Sequence, residues 1–350
     1  MRKDSIAVDV ASVKELREVR GGRKWDKKKG KADGVAMTFE QYATTDLTDV
    51  LVRHAERVSD CSDAIDLVWK DGQLKLKSVH LCHVRTCPIC GWRRSLALKR
   101  VFAERFPVVA EENPTARYLF LTLTVKACPI NSLRATLRDM SEGWKRLTNR
   151  RWLKPFLLGS IRAVEVTKSK TQFDSDGVAC AHPHYHVILM VSSKYFDKKL
   201  PYYKATSEWV KEWQSAMRLD YTPVVWLNVC RRNTKKFKSA SDDLLTDKLA
   251  KERLLFQTVT SGALEVLKYS VKDSDIYTGD SWYAEYDRQI PHLRFILGSG
   301  LLKNVITLDW KMTPEEPEEF EEKIESEDLE KVLTFFWDRS KGRYRRWEKK

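Results

Sequence analysis

The 350-residue sequence contains no run of about 20 apolar residues, which excludes an ordinary membrane-spanning helix. Its first residues lack the apolar segment of a secretory signal peptide, and the chain shows no internal repeat. Cysteine is scarce, and its count of seven is odd, which does not suit a disulfide framework. We therefore expect a protein of the reducing cytoplasm with no membrane partner.

Apolar residues make up 42% of the chain and tryptophan occurs 12 times, so a globular protein with one large domain or two is expected. The formal net charge is +14. A charge of this sign and size favours a polyanionic partner, above all nucleic acid. The alternative is a soluble basic protein with no such partner.

Three of the seven histidines lie between residues 182 and 186, directly before an apolar run that ends at Val191. This run predicts a buried β-strand. Side chains alternate along a strand, so His184 and His186 should share one face. Two neighbouring imidazoles can form half of a divalent-metal site. The alternative is a polar strand start whose histidines are only solvated.

A carboxylate interrupts the apolar residues 163–166 of the preceding predicted strand. Burying a carboxylate is costly unless it is paired or bound to a metal. We therefore predict Glu165 as the third ligand beside His184 and His186. The alternative places Glu165 on a solvent-exposed face.

A cysteine-rich segment precedes these strands, and it includes a CPxCG turn at residues 87–91. Four cysteines can close a tetrahedral structural zinc site. The predicted ligands are Cys61, Cys82, Cys87 and Cys90. Their spacing is irregular for a zinc ribbon, so His80 or His83 could replace one of them, and ordinary reduced core cysteines are the alternative.

The chain order of predicted elements is strand, helix, strand, strand, helix, strand. The strands are predicted at 118–125, 160–167, 182–191 and 223–230, with helices at 131–150 and 203–218. This order indicates an α+β protein with a split, ferredoxin-like antiparallel sheet. Further helices are predicted at 38–60, 241–256 and 261–272.

Basic side chains cluster after the CPxCG turn and after the last predicted strand, where they are candidates for phosphate contacts. The predicted DNA-binding residues are Arg93, Arg94, Lys99, Arg231, Arg232, Lys235, Lys236 and Lys268. In the helix predicted at 261–272, the i,i+4 spacing places Glu265 and Tyr269 on one face, with Lys268 and Lys272 beside the tyrosine. A helix tyrosine is ordinarily a core or interface residue.

Taken in order, three segments resemble the rolling-circle replication initiators of small bacterial plasmids, the HUH endonucleases with a single catalytic tyrosine. The matching segments are residues 120–124, the HPHYH segment at 182–186, and Glu265 to Lys272. The cysteine-rich segment at 87–93 also resembles the one that precedes the nuclease domain in this group. The resemblance covers about Cys82 to Lys272.

This resemblance implies that Tyr269 attacks origin DNA, leaving a 5′-phosphotyrosine link and a free 3′-hydroxyl primer. A catalytic Mg²⁺ or Mn²⁺ would lie at His184, His186 and Glu165, and a structural Zn²⁺ at the cysteines. Lys272 would lower the pKa of the phenol, and Glu265 would activate water for a terminating cleavage. The implied partners are plasmid origin DNA, single-stranded or hairpin, with host helicase and polymerase in the bacterial cytoplasm.

We accordingly predict a flexible basic arm at residues 1–36, a zinc module with a basic helix at 37–105, an HUH nuclease domain at 106–275, and a helical C-terminal extension at 276–350. A single-strand transposase or a relaxase would use related chemistry. A zinc-dependent DNA-binding regulator without nuclease activity is an alternative of another class, and a metallohydrolase of small phosphoesters is a third.

Overall fold

The computed structural model describes residues 13–19, 21–46, 49–70, 73–197, 199–200, 202–230, 267, 280–308 and 332–347. The α-helices of this part are α1 (Gly22–Tyr42), α2 (Val50–Asp60), α3 (Pro88–Glu112), α4 (Leu133–Thr148), α5 (Thr206–Met217) and α6 (Ser281–Gln289). Its strands are β1 (Ala64–Lys70), β2 (Gln73–Val79), β3 (Arg117–Thr124), β4 (Leu157–Phe173), β5 (Ala179–Val191), β6 (Val225–Val229), β7 (Ile296–Gly300), β8 (Val332–Asp338) and β9 (Arg343–Arg346). The described residues therefore form a mixed α+β structure with two antiparallel sheets.

Two compact units divide the chain, and both are discontinuous in sequence. The first takes its described residues from Met1–Arg93, Ile276–Arg288 and Trp310–Lys350. The second takes them from Arg94–Asp275 and Gln289–Asp309.

The sheet of the second unit has five strands in the order β6-β3-β5-β4-β7, and every neighbouring pair is antiparallel. Its strands and helices from β3 to β6 follow the chain order that the sequence predicted. Strand β7 was not predicted and pairs with the outer edge of β4. The long β4–β5 hairpin places the histidine segment at the centre of the sheet, next to the strand that carries Glu165.

Helices α4 and α5 pack on one face of this sheet. Trp213 of α5 lies 6.3 Å from the Tyr185 ring, and the Arg162 guanidinium lies 5.8 Å from the Trp144 ring of α4. Side chains on the opposite face of the sheet pack in an apolar cluster that includes Phe102 and Phe106 of α3. Members from the sheet are Tyr118, Ile161, Ala163, Ile188 and Met190. The even-numbered residues of β5 therefore face this cluster, and its odd-numbered residues face α4 and α5.

The sheet of the first unit has the order β2-β1-β8-β9, so a strand near residue 65 pairs directly with a strand near residue 335. Tyr344 of β9 is fully buried, and its hydroxyl lies 2.7 Å from the Ser62 hydroxyl. The Tyr344 amide donates to Asp26 of α1 at 3.0 Å. These contacts show that the first unit is completed by the end of the chain.

The prediction of a flexible arm at residues 1–36 was wrong for residues 22–36, which lie in α1. The basic run is not simply solvated, because the Lys29 side chain is fully buried. Its ammonium pairs with Asp33 at 3.0 Å and Asp63 at 2.6 Å. The single helix predicted at 38–60 was also wrong, since α1 ends at Tyr42 and α2 begins at Val50. Asp49 caps α2 by accepting from the Leu51 amide at 3.1 Å.

The helical C-terminal extension predicted at 276–350 was wrong as well. Within the described residues, this region contributes α6, one strand to the sheet of the second unit and two strands to that of the first. The predicted domain boundaries at 36, 105 and 275 do not match the limits of the two units. The β1–β2 hairpin was not predicted, and the helices predicted at 241–256 and 261–272 lie outside the described residues, apart from Leu267.

Candidate metal centres

Glu165, His184 and His186 come together on one face of the five-stranded sheet. The Glu165 Oε2 atom lies 3.0 Å from His184 Nε2 and 2.7 Å from His186 Nε2. The side chains are 12–19% exposed, so the group is neither sealed in the core nor fully solvated. One oxygen and two imidazole nitrogens thus converge from three side chains, as the sequence predicted.

The strand register explains this convergence. Glu165 is directly opposite His184 across the β4–β5 pair, and Ala163 is opposite His186. Residues opposite each other in an antiparallel pair share a face, and a second histidine two positions along the strand returns to that face. The alternation of side chains in a hairpin is therefore sufficient to assemble three ligands.

The electrostatics of the group favour an ionised glutamate. Burial raises the pKa of Glu165, but the hydrogen bonds and charges of His184 and His186 outweigh this effect. The pKa of the carboxyl consequently lies well below its usual range. A carboxylate held between two imidazoles is a donor set that suits a divalent cation.

Thr122 is a neighbour of this group, and the sequence did not predict it as a separate site residue. It lies opposite His186 across the β3–β5 pair, and its Oγ1 atom is 3.4 Å from His186 Nδ1. His184 Nδ1 lies 3.3 Å from the His182 carbonyl. Outer contacts of this kind orient imidazole ligands. The signal for Thr122 was the alternating Thr-Leu-Thr pattern of β3, which places a threonine on the histidine side.

Tyr185 lies between the two histidines in sequence, but it faces the opposite side of the sheet. It is fully buried, and burial raises its pKa to about 12. The Arg162 guanidinium lies 4.4 Å from its ring centre. Tyr185 is therefore a core residue and does not reach the Glu165–His184–His186 group.

The second cluster, in the first unit, consists of Cys61, Cys82, Cys87 and Cys90, whose sulfur atoms all lie within 4.8 Å of one another. The Cys90 sulfur is 3.7 Å from that of Cys61 and 3.6 Å from that of Cys82. A tetrahedron of thiolates around zinc, with Zn–S bonds of about 2.3 Å, has S–S edges of about 3.8 Å. Four cysteines therefore converge with the spacing that a structural zinc requires, and neither His80 nor His83 belongs to the cluster.

The local chain explains how the cysteines meet. Cys61 follows the end of α2, and Cys87 and Cys90 flank the start of α3 at Pro88. The Gly91 amide donates to the Cys87 carbonyl at 2.9 Å, which closes the turn. Hydrogen bonding by Cys82 and Cys87, together with burial, raises the pKa of the Cys61 thiol. Four buried sulfur atoms at this distance form a donor set that could hold one metal ion.

Three of the eight predicted DNA-binding residues lie in the described part of the chain. The Arg93 guanidinium lies 5.6 Å from the Trp25 ring and 5.8 Å from the Trp92 ring, so it already packs on two aromatic side chains. Arg94 and Lys99 are partly buried. The other predicted DNA-binding residues, Arg231, Arg232, Lys235, Lys236 and Lys268, lie outside the described residues.

Three predicted catalytic residues, Tyr269, Glu265 and Lys272, also lie outside the described residues. Leu267, midway in sequence between Glu265 and Tyr269, is described and fully buried. It belongs to the apolar cluster with Ala163 and Ile188, and its carbonyl accepts from the Ser95 hydroxyl at 2.8 Å. Leu267 thus packs against the face of the sheet that carries the histidines.

The two ligand clusters and the antiparallel sheets define an α+β protein with candidate sites for two different metals. The family model described as "Replication protein" matches residues 73–345. The chain therefore belongs to this replication-protein family, which confirms the resemblance to plasmid rolling-circle replication initiators inferred from the sequence. No solved structure matched the chain significantly.

Several bacterial relatives bear the name "Protein rep". One from Bacillus amyloliquefaciens is 33% identical over 261 residues, which are 73% of this chain and 71% of that protein. One from Lactiplantibacillus plantarum is 36% identical over 65% of this chain and 64% of its own length. One from Streptococcus pneumoniae is 34% identical over 53% of this chain and 56% of its own length. In the described part of the chain, no helix has both the length and the apolar composition of a membrane span.

Proposed function

We propose that this protein initiates rolling-circle plasmid replication by cutting one strand of the origin as an HUH endonuclease. The observation that carries the proposal is the convergence of Glu165 with His184 and His186 at 2.7–3.0 Å on an accessible sheet face, in a chain of the replication-protein family. Two histidines and one carboxylate leave coordination positions open for a substrate.

The topology of the second unit supports this assignment. From β3 to β6 the elements follow as strand, helix, strand, strand, helix, strand, and the four strands lie in the order fourth, first, third, second. This is the arrangement of a split ferredoxin-like sheet. We assign the unit to that fold, with β7 as an additional edge strand.

The donor sets of the two clusters fit different ions. Glu165, His184 and His186 would hold Mg²⁺ or Mn²⁺, and Cys61, Cys82, Cys87 and Cys90 would hold a structural Zn²⁺. When bound, the first ion would supply electrophilic stabilisation of charge at a scissile phosphate. The protein's own contribution is to fix two imidazoles and one carboxylate in register and to keep their outer face accessible.

The phenolic oxygen of Tyr269 is assigned as the nucleophile. Its bond to phosphorus forms while the bond from phosphorus to the 3′-oxygen breaks, and the departing oxygen takes a proton to become a 3′-hydroxyl. Lys272 is assigned to favour the phenolate, and Glu265 to activate water for the terminating cleavage. The burial of Leu267 on the histidine face supports the roles of Glu265 and Tyr269, because each is two residues from Leu267 in sequence and two residues span at most roughly 7 Å.

Plasmid origin DNA is the substrate in this proposal, in a single-stranded or hairpin form. The net charge of +14 supports a polyanionic partner. A free 3′-hydroxyl is what a host polymerase extends, and a host helicase would separate the strands.

The test is the formation of a covalent adduct on single-stranded origin oligonucleotides in Mn²⁺. The intact protein should give a protein–DNA band that resists denaturant, and Tyr269→Phe should give neither adduct nor cut strand, because only the attacking oxygen is missing. Absence of an adduct with every origin fragment, despite tight DNA binding, would instead favour the zinc-dependent regulator.

Glu265→Ala separates initiation from termination in the same assay. This variant should still cut the strand and form the adduct, but it should accumulate multimeric single-stranded products because no group activates the water. If Glu265→Ala lost the first cut as completely as Tyr269→Phe, the role assigned to Glu265 would be wrong.

A further inference from the structure

Strand β6 presents three exposed side chains along one face. Val224, just before the strand, is 57% exposed, Trp226 is 72% exposed, and Asn228 is also exposed. The residues between them, Val225 and Leu227, are buried or half-buried. Within the described residues, β6 pairs only with β3 and forms one edge of the sheet.

Trp226 is far more exposed than the other tryptophans described in the second unit. Trp209 and Trp213 of the same unit are fully buried. Tryptophan has the largest apolar surface of the natural side chains, and leaving it in water forfeits the free energy of burying it. A ring held outward on a regular strand is therefore a candidate contact for a ligand.

The strand register places Trp226 on the face that carries the histidines. Thr122 is opposite Trp226 across the β3–β6 pair and opposite His186 across the β3–β5 pair. Trp226, Thr122 and His186 consequently form one row across three strands. With strands about 4.8 Å apart, the Cα atoms of Trp226 and His186 are roughly 10 Å from each other.

A cationic and aromatic pair lies near the same end of the sheet. The Lys126 ammonium is 4.1 Å from the centre of the Tyr221 ring, and the Lys126 amide donates a hydrogen bond to the Tyr221 hydroxyl at 2.8 Å. The Thr124 hydroxyl donates to the Val224 carbonyl at 2.9 Å, which connects the ends of β3 and β6. The exposed row is thus bordered by a positive charge as well as by the metal ligands.

We propose that Trp226 is a stacking platform for a base of single-stranded DNA, next to the phosphate that the Glu165–His184–His186 group receives. This inference rests on the proposed function. Every base has an aromatic face, and tryptophan can stack on it without reading its identity. Charge complementarity favours a nucleic acid over a protein partner on this face, because the chain is strongly basic and the row leads to a candidate phosphate site.

The test compares binding of the full-length protein to two fluorescent probes, a 20-nucleotide thymidine oligomer and a 20-unit strand that has the same sugar-phosphate backbone but no bases. Trp226→Ala should weaken binding of the thymidine oligomer about tenfold, which corresponds to about 1.4 kcal/mol. Binding of the base-free strand should stay within about twofold, since its phosphate contacts are unchanged.

Two further variants control the result. Trp226→Phe retains an aromatic face and should recover most of the affinity for the thymidine oligomer. Phe173→Ala removes a 58%-exposed aromatic side chain at the far end of the β4–β5 hairpin and should leave both affinities unchanged. Unchanged melting of Trp226→Ala, measured by circular dichroism, would show that the sheet is intact.

Equal binding of both probes by Trp226→Ala and the intact protein would overturn the proposal. So would an equal loss for both probes. A difference in oligomeric state between Trp226→Ala and the intact protein would also overturn it, because it would assign Trp226 to a protein interface. The adduct assay is independent of these outcomes. An adduct with no effect of Trp226→Ala refutes only the stacking role, and a base-dependent effect without any adduct refutes only the proposed endonuclease.

Discussion

The four-cysteine cluster and the Glu165–His184–His186 group both bring ligand atoms together, but they differ in the number of ligands and in the exposure of their side chains. The cysteine cluster offers four ligands, all from buried side chains. The other group offers three ligands, with side chains 12–19% exposed. Structural zinc sites are closed by four protein ligands, whereas catalytic metal sites retain an open position. This difference is the basis for proposing a stabilising role for the four-cysteine cluster and a chemical role for the Glu165–His184–His186 group.

The largest effect is expected from removing one cysteine of the four-cysteine cluster. Cys90→Ala should lose the zinc and unfold the first unit, because a structural zinc contributes on the order of 10 kcal/mol, comparable to the whole stability of a domain. Elemental analysis and thermal unfolding would measure the two losses.

Two variants serve as matched controls for this prediction. Cys128→Ser alters a half-buried cysteine outside the cluster, and His80→Ala removes an imidazole that the sequence left as an alternative ligand. Both should retain about one zinc per chain. A Cys90→Ala protein that melts like the intact chain would contradict the structural role.

An intermediate effect is expected from removing one ligand of the Glu165–His184–His186 group. His184→Ala should lower Mn²⁺-dependent strand cutting roughly a thousandfold, about 4 kcal/mol of transition-state stabilisation, because the ion loses one of three protein ligands. Its melting temperature should change by only a few degrees, since the side chain is not part of an apolar cluster.

His182→Ala is the control, because it removes a neighbouring imidazole whose backbone carbonyl remains in place near His184 Nδ1. It should retain most of the cutting activity. Undiminished Mn²⁺-dependent cutting by His184→Ala would rule out the assigned ligands.

The smallest effect is expected from removing a hydroxyl that contacts the Glu165–His184–His186 group. Thr122→Val preserves the shape of the side chain but removes the hydroxyl that lies 3.4 Å from His186 Nδ1. Affinity for Mn²⁺, measured by electron paramagnetic resonance, should fall about tenfold, which is typical for losing an outer-shell contact. Thr124→Val provides the comparison, because its hydroxyl donates to the Val224 carbonyl. If both variants bound Mn²⁺ like the intact protein, Thr122 would have no supporting role.

Local patterns were enough to predict much of the second unit. The apolar run after His186 predicted β5, and the interrupted run around Glu165 predicted β4. The ferredoxin-like order of the predicted elements made a hairpin with the carboxylate beside the histidines the expected arrangement, and β4 and β5 form that hairpin. Such contacts are readable because residues close in sequence meet through the alternation of a hairpin.

Other features could not be predicted from local sequence patterns. The basic residues of α1 indicated a solvated arm, yet Lys29 is buried between Asp33 and Asp63. The pairing of β1 with β8 joins residues more than 250 positions apart in the sequence, and no periodicity in either segment names its partner. The outward position of Trp226 likewise depends on which strand lies beside β3.

The sequence by itself determined the family, the candidate ligands and the alternation that places His184 and His186 on one face. Only the tertiary structure decided that the four cysteines converge without His80 or His83, that the C-terminal strands complete the first unit, and that Thr122 connects His186 with Trp226 in one row. The physical reason is that hydrophobic periodicity fixes which face of an element is buried. The choice of partner for that face depends on the packing of the whole chain.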